Sequence, residues 1–298
     1  MADIVGVGHV ALDHVFSLAG RLKAGAKNPA QGQRSLVGGM TANAVLAACR
    51  LGARARIVSP VGHDVALPLF RAHFEREGID ASGLHPVAGA GSSVSAVVVD
   101  ERGERTIVNH RGSALALAGD FDPARLDGAD VLLTDPRCVA WAEAALRHAR
   151  RRGMTSVLDA DASPAADLQR LVGLAQWAVF SEPGAVAYAG SDVRTVLAGA
   201  LRAGAAVAVV TQGERGLWWQ RAGGTPRQLA AFAVNPVVDT LAAGDVFHGA
   251  LAVALAEGLG DEPALRLASA AAALKCTRPD GALGAPSRAE VQSLLDRA

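Results

Sequence analysis

The sequence is short of aromatic residues, of cysteine and of net charge. Only 4% of its residues are aromatic, and Lys+Arg equals Asp+Glu at 29 each. A nucleic-acid-binding surface needs a basic excess and stacking platforms, so that class of function is set aside. The three cysteines, Cys49, Cys138 and Cys276, are far apart and lack C-x-x-C or Cys/His spacing. They read as free thiols of a reducing compartment rather than as a disulfide frame or metal site. The eight histidines form no H-x-x-x-H or H-E-x-x-H pattern. No apolar run free of charges and breakers is long enough to span a membrane, and residues 1–5 lack a basic region leading into an apolar stretch. A cytoplasmic location with neither nucleic acid nor membrane as partner is the expectation.

What the chain has is apolar mass. Half of its 298 residues are hydrophobic and 19% are charged, which suits one sizeable core and excludes wholesale disorder. Residues 4–10 read as a buried strand, and residues 11–37 are polar, punctuated by Gly and Pro. Gly38-Gly39 precedes an Ala-rich helix over 40–51 that closes at Gly52. A short strand over 56–61 and an amphipathic helix over 68–77 follow. The valine-rich run 92–100, the turn Asp100-Glu101-Arg102-Gly103 and residues 105–109 carry a hairpin signature. From Asp130 onward, strand-like runs at 131–134, 156–159, 178–180 and 206–211 alternate with helical stretches at 139–152, 165–174, 193–203 and 246–257. That alternation predicts parallel βαβ units. The expected fold class is α/β: a doubly wound parallel sheet in a single domain over residues 1–298, with a small β excursion from residues 12–37 and 92–111. Ligands of such sheets bind beyond the carboxyl ends of the strands, and several candidate residues sit there.

The most informative stretch is Val237-Val238-Asp239-Thr240-Leu241-Ala242-Ala243-Gly244-Asp245. Small residues there give way to a helix whose Phe247, Ala250, Leu251, Ala254 and Leu255 share one face. Small residues at a helix start expose unpaired N–H groups, which with the helix dipole attract an anion. Asp245 could take a proton from a substrate hydroxyl while those N–H groups hold phosphoryl oxygens; as an isolated residue it reads equally as a helix N-cap. His248, one turn along, reads as packed or solvated. Gly6-x-Gly8-x-x-Ala11 mimics a dinucleotide fingerprint, but residues 13–16 read as strand and Asn28-Pro29-Ala30-Gln31 supplies no acid.

Asp239-Thr240-x-x-Ala243-Gly244-Asp245 resembles the D-T-x-G-A-G-D signature of the ribokinase/PfkB carbohydrate kinases. Gly38-Gly39 with Asn43, Leu51-Gly52-Ala53 and Val61-Gly62-His63-Asp64 resemble the family's first signature region. Val210-Thr211-Gln212-Gly213 with Gly216 is similar to its V-T-x-G-x-x-G turn. The matches run in family order across nearly the whole chain. The resemblance implies a ribokinase-like sheet with a β lid that covers the sugar and pairs two copies into a homodimer. It implies ATP with Mg²⁺ as phosphoryl donor, Asp245 as catalytic base, and the N–H groups of Ala242, Ala243 and Gly244 as anion hole. It further implies Asp13, Gly39 and Asn43 on the sugar hydroxyls, Thr211, Gly213 and Gly216 on the nucleotide side, and a monovalent-cation (K⁺) site at Asp239, as in some relatives. Two positions depart from the pattern. Ala242 stands where the family has Gly, and a positive φ there costs roughly 1–2 kcal/mol. The family's N-x-x-E motif should fall at 180–184, where neither residue is in place and Glu182 is the nearby carboxylate for the metal.

Within the family, the stretches 134–137, 157–161, 180–184, 245–256 and 273–279 look most like the bacterial 6-deoxy-6-sulfofructose kinases. That resemblance implies a sulfonate pocket of Lys27, Asn109 and Arg137. A sulfonate carries a single charge, whereas a phosphate carries closer to two; one Lys, one Arg and a neutral Asn suit the former. Read alone, Lys27 and Arg137 are ordinary surface charges. The rival expectations are a kinase for another sugar, phosphosugar or nucleoside, separable by a substrate panel, and a degenerate kinase that only binds, separable by turnover.

Overall fold

The computed structural model describes residues 1–297. Its spine is a nine-stranded sheet. β1 (Asp3–Val7) lies at its heart, parallel to β4 (Arg54–Gly62) on one side and β8 (Val131–Thr134) on the other. Beyond β4 comes β5 (Asp80–Val87). Beyond β8 come β9 (Thr155–Ala160), β10 (Trp177–Phe180) and β11 (Val207–Thr211), all parallel. β12 (Leu217–Arg221) and β13 (Arg227–Leu229) close that edge antiparallel.

The strands are near-continuous apolar runs, as expected where both faces are covered. Successive residues feed opposite layers: Val131, Leu133, Val157, Val179 and Val209 face one core, and Leu132, Leu158, Phe180 and Val210 the other. The first layer is closed by α1 (Met40–Arg50), α7 (Ala243–Ala256), α8 (Asp261–Cys276) and α9 (Arg288–Leu295), the second by α3 (Val139–Arg152), α4 (Ala165–Val172) and α6 (Val193–Ala203). Local signals end the elements. Gly153 closes α3 with φ 65, and Asp192 caps α6 by accepting from the Thr195 N–H at 3.0 Å.

A second, four-stranded sheet has the order β3-β2-β6-β7. It is built from β2 (Ala11–Leu18), β3 (Ala30–Gly38), β6 (Ser93–Val99) and β7 (Arg105–His110). β2 and β6 are parallel and the outer pairings antiparallel. Its register sets Leu36, Asp13, Ser95 and Asn109 in one row. The expected α/β fold with a large sheet and a smaller one is therefore present.

The structure corrects some boundaries. The strand expected over 4–10 stops at Val7, because the chain leaves the large sheet there to enter the small one. β5 went unread: it is an edge strand interrupted by Gly83 and Pro86, which dilute the apolar pattern. α7 begins at Ala243 rather than 246, since Ala, Gly and Asp wind its first turn. The two glycines of the false dinucleotide fingerprint serve packing. A Cβ on Gly6 would lie 2.3 Å from a methyl of Val45, and one on Gly8 2.2 Å from the Thr41 hydroxyl, so both let α1 seat directly on β1.

Candidate active site

The carboxyl ends of β1, β8, β9, β10 and β11 lead into or carry His9, Asp135, Asp161, Ser181 and Thr211, and α1, α7 and the small sheet supply the other polar residues. The first turn of α7 is set by Ala242, whose φ of 63 and ψ of 12 put a non-glycine residue in the left-handed region. The substitution of Ala for Gly therefore keeps the turn, at the conformational cost the sequence suggested. The Val246 N–H closes the first helical bond onto the Ala242 carbonyl at 2.9 Å, and the Ala243 N–H donates to the Thr240 carbonyl at 3.3 Å. Of the N–H groups expected to form the anion hole, that of Ala243 is thus engaged, whereas that of Gly244, with its neighbour at Asp245, lies outside the helical ladder, as in any first turn.

Asp245 and Asn43, 202 residues apart, are joined: the Asn43 side-chain amide donates to Asp245 Oδ2 at 2.7 Å. The Asp245 carboxyl is pushed up to about 8, first by burial and then by the Asp159 carboxyl, with the Asn43 hydrogen bond working against both. Asp159, at the end of β9, is itself held well above the usual carboxylate range, first by burial and then by Asp161 and Asp135. His248 completes this buried group. Its Nδ1 lies 2.7 Å from the Gly244 carbonyl, which can only accept, so Nδ1 carries the proton. Nε2 then presents its lone pair 3.5 Å from Asp159 Oδ1, and it makes no hydrogen bond among the described residues.

On the side of the small sheet, Asp13 shares its row with Ser95 and Asn109. Burial pushes the Asp13 carboxyl up, and a hydrogen bond with Ser95 opposes the push. Gly38 leaves room for that carboxylate, since a Cβ there would come within 2.1 Å of Asp13 Oδ2. Gly39, with φ 104, turns β3 into α1, and a Cβ on it would meet the His9 carbonyl at 2.4 Å. Asn109 donates to Ser95 Oγ at 3.0 Å. Lys27 is exposed in the loop between β2 and β3. Arg137 is mostly buried and engaged: it donates to Asp161 at 2.9 Å, to the Ala162 carbonyl at 2.7 Å and to Ser163 at 3.0 Å. No hydrogen bond or ion pair links Lys27, Asn109 and Arg137 to one another among the described residues.

In the turn expected to face the nucleotide, Thr211 ends β11 and donates to the Phe180 carbonyl at 3.2 Å. Gly213 and Gly216 take φ of 57 and 82. A Cβ on Gly216 would sit 2.0 Å from the Leu229 carbonyl, so this turn needs glycine. Glu182, the expected metal carboxylate, is exposed and ion-paired with Arg215 of that turn. No group of three or more His, Cys, Asp or Glu among the described residues could hold a metal by itself. A Mg²⁺ fits only as an ion that arrives on nucleotide phosphates and keeps most of its water, which is its usual habit. Asp161, whose charge adds to the push on Asp245, has both oxygens engaged, Oδ2 with Arg137 at 2.9 Å and Oδ1 with the Ser181 hydroxyl at 2.7 Å.

Asp239 stands before the turn with both oxygens occupied. Oδ1 accepts from the Leu241 N–H and Oδ2 from the Gly281 N–H, each at 2.9 Å, and Lys275 Nζ lies 3.0 Å from Oδ2. Burial raises this carboxyl, but the two N–H groups and the ammonium outweigh it and hold it below the usual range.

Sequence reasoning missed Asp135, Asp161, Ser95, His9 and Lys275. Asp135 and Asp161 each follow a strand directly, the one signal that could have singled them out. His9 reaches across to the small sheet, with Nε2 2.8 Å from Ser93 Oγ. Burial pushes its imidazole down to about 4, and Arg137 and Arg111 press in the same direction against the pull of Asp135.

Comparison with known proteins adds a consistent picture. The family description "pfkB family carbohydrate kinase" matches residues 1–288. The ribokinase of Haemophilus influenzae is 28% identical over 305 aligned positions, covering 98% of this chain and 98% of that one. A provisional ribokinase structure from Agrobacterium tumefaciens is 35% identical, with a TM-score of 0.93 over 99% of this chain and 98% of that one. The structure of Arabidopsis thaliana ribokinase complexed with ribose and ATP shares the fold, with a TM-score of 0.85 at 22% identity over 99% of each chain.

Proposed function

This chain belongs to the pfkB family of carbohydrate kinases, and from that premise we propose that it phosphorylates 6-deoxy-6-sulfofructose, with Asp245 as general base. The coarser activity, ATP-dependent phosphoryl transfer to a sugar or nucleoside hydroxyl, is that of the family. The observation that carries the mechanism is the hydrogen bond from Asn43 to Asp245 at the first turn of α7. The substrate hydroxyl gives its proton to the Asp245 carboxylate. Its oxygen bonds to the γ-phosphorus as the bond from that phosphorus to the β–γ bridging oxygen breaks, and ADP leaves. Asn43 fixes which carboxylate oxygen faces the hydroxyl. The Gly244 and Asp245 N–H groups and the helix dipole stabilise charge on the phosphoryl oxygens. Mg²⁺ bound with the nucleotide would supply charge neutralisation on the phosphates.

The sulfonate reading draws on the cationic side of the sugar end. Arg137 and Arg111 both act on His9 beneath the small sheet, and Asn109 lies in the row of Asp13. Because Asp161 already balances part of the Arg137 charge, a singly charged sulfonate suits the pocket better than a phosphate. The same ion pair favours the second reading, a neutral pentose, and the relatives that match end to end are named ribokinase. ATP consumption with 6-deoxy-6-sulfofructose, fructose 6-phosphate, fructose, ribose and adenosine separates the two. Turnover confined to the sulfosugar is expected, together with a KM for it that rises at least about tenfold in Arg137→Ala, one buried charge–charge contact being worth 1.4 kcal/mol or more, while the KM for ATP stays put. Preference for ribose with an unmoved sugar KM would replace the first reading by the second.

We also propose that the small sheet pairs two copies of the chain. β7 is an edge strand, and its neighbouring Ile107 and Val108 are 52% and 69% exposed. An apolar edge of this kind is a template for pairing. Light scattering should give the mass of a dimer, and Ile107→Lys with Val108→Lys the mass of a monomer; a monomeric parent chain would dismiss the interface.

A further inference from the structure

Lys275, on the last turn of α8, is 0% exposed. An ammonium removed from water needs oxygen atoms around it, and this one has them. Nζ lies 3.0 Å from Asp239 Oδ2 and donates to the Asp239 carbonyl at 2.6 Å and to the Arg278 carbonyl at 3.2 Å. One carboxylate and two carbonyls are also the donors a dehydrated monovalent cation would take. Asp239 also accepts from the Leu241 and Gly281 N–H groups, and its own N–H donates to the Cys276 carbonyl at the end of α8 at 3.1 Å. The residues around Asp239 therefore do not fit the K⁺ that the family resemblance implied: the position already holds a positive charge, and a second beside it would be repelled.

We infer that Lys275 Nζ is the chain's own monovalent cation, a positioning residue that fixes the segment 239–241 and through it the turn at Ala242, and that the enzyme needs no K⁺. Three pieces of chain converge on the ammonium: the segment before the catalytic turn, the end of α8, and residues 278–281 beyond it. Residues 239–241 run without interruption into Ala242–Asp245, so the ammonium sets the floor on which the Gly244 N–H and the base are aimed. The effect on rate presupposes the kinase reading above, whereas the effect on stability does not.

The experiment follows unfolding temperature and kinetics of the parent chain, Lys275→Ala and Lys275→Gln in K⁺, Na⁺ or tetramethylammonium at equal ionic strength. The parent should give the same Tm and the same kcat, within about twofold, in all three. At least one variant should lose kcat by tenfold or more in tetramethylammonium with the sugar KM little changed, and should recover both Tm and kcat as K⁺ is added. A parent chain whose Tm or kcat rises specifically with K⁺ would overturn the inference, as would two variants that are both blind to K⁺. If no sugar is turned over by any of the three, the Tm comparison alone decides the point, and the kinase reading fails separately.

Discussion

Replacing Asp245 by Asn is expected to lower kcat by about 10²–10⁴, the usual contribution of a positioned base, while leaving sugar and nucleotide binding nearly intact. The substitution is close to isosteric, and the Asn43 amide can still donate to the new side-chain oxygen, so a loss would report the missing proton acceptor. A kcat within threefold of the parent would refute the assignment. The raised pKa gives two further readouts of the same variant. Only the ionised carboxylate can accept the proton, so kcat/KM of the parent should rise with pH toward a limb near 8, and that limb should vanish in the variant. The linkage to stability has the opposite sign. Between the ordinary carboxylate range and about 8, the folded chain keeps a proton on Asp245 that the unfolded chain has lost. Stability therefore falls as pH rises through that window. Asp245→Asn should be more stable than the parent above it and indistinguishable below about pH 4. A base at this position would be held at the expense of the fold, the trade-off expected of a preorganised site.

The second large effect is expected at Asp135, which touches neither the base nor the nucleotide turn. It is 0% exposed, and three donors from three elements converge on it. Its Oδ2 accepts from the His9 N–H at 2.7 Å and the Thr41 hydroxyl at 2.5 Å, and its Oδ1 from the Arg137 N–H at 2.8 Å. Gly8 is bare so that this carboxylate can approach, since a Cβ there would lie 2.4 Å from Oδ2. Asp135→Ala strands those donors in the core, and removing one partner of a buried charged network costs about 3–5 kcal/mol. In a chain of this size that is a fall in Tm of about 5–8 °C. Urea unfolding gives the free energy directly. A loss below about 1 kcal/mol would mean that water takes over the three bonds, and Asp135 would then be an ordinary polar residue of the interior.

How far the site was legible in the sequence depended on what kind of constraint each residue carried. Local constraints were readable. The small residues of 242–244, the glycines at 38, 39, 213 and 216 and the apolar runs of β8, β10 and β11 each answer to backbone geometry or to period, and both are written in neighbouring residues. Asn43 and Asp245 were each singled out through family resemblance, but their hydrogen bond was not readable, because nothing local joins helices so far apart in the chain. Partners chosen in three dimensions were not readable. Lys275 looks like the charged end of an ordinary helix, yet it is buried because Asp239 and two carbonyls meet it there. Arg137 was read as a ligand for substrate, and whether it is one depends on Asp161, whose approach is set by the order of β8 and β9 in the sheet. Glu182 was taken for a metal carboxylate, but the turn after β11 brings Arg215 onto it.

The span of the Asn43–Asp245 contact also bears on how the molecule is made. β1 is the first strand to be synthesised, yet it must lie between β4 and β8. Asn43 leaves the ribosome 202 residues ahead of its partner, about 10–40 s earlier at ordinary rates of synthesis. The small sheet can form while the chain is still growing, since its four strands all lie before residue 111. The large sheet remains open on the β8 side until the second half arrives, and α7, which seals one face, comes later still. Nascent chains thus carry a complete small sheet beside an unfinished apolar one for much of their translation, the interval in which open strand edges are most exposed to wrong pairing.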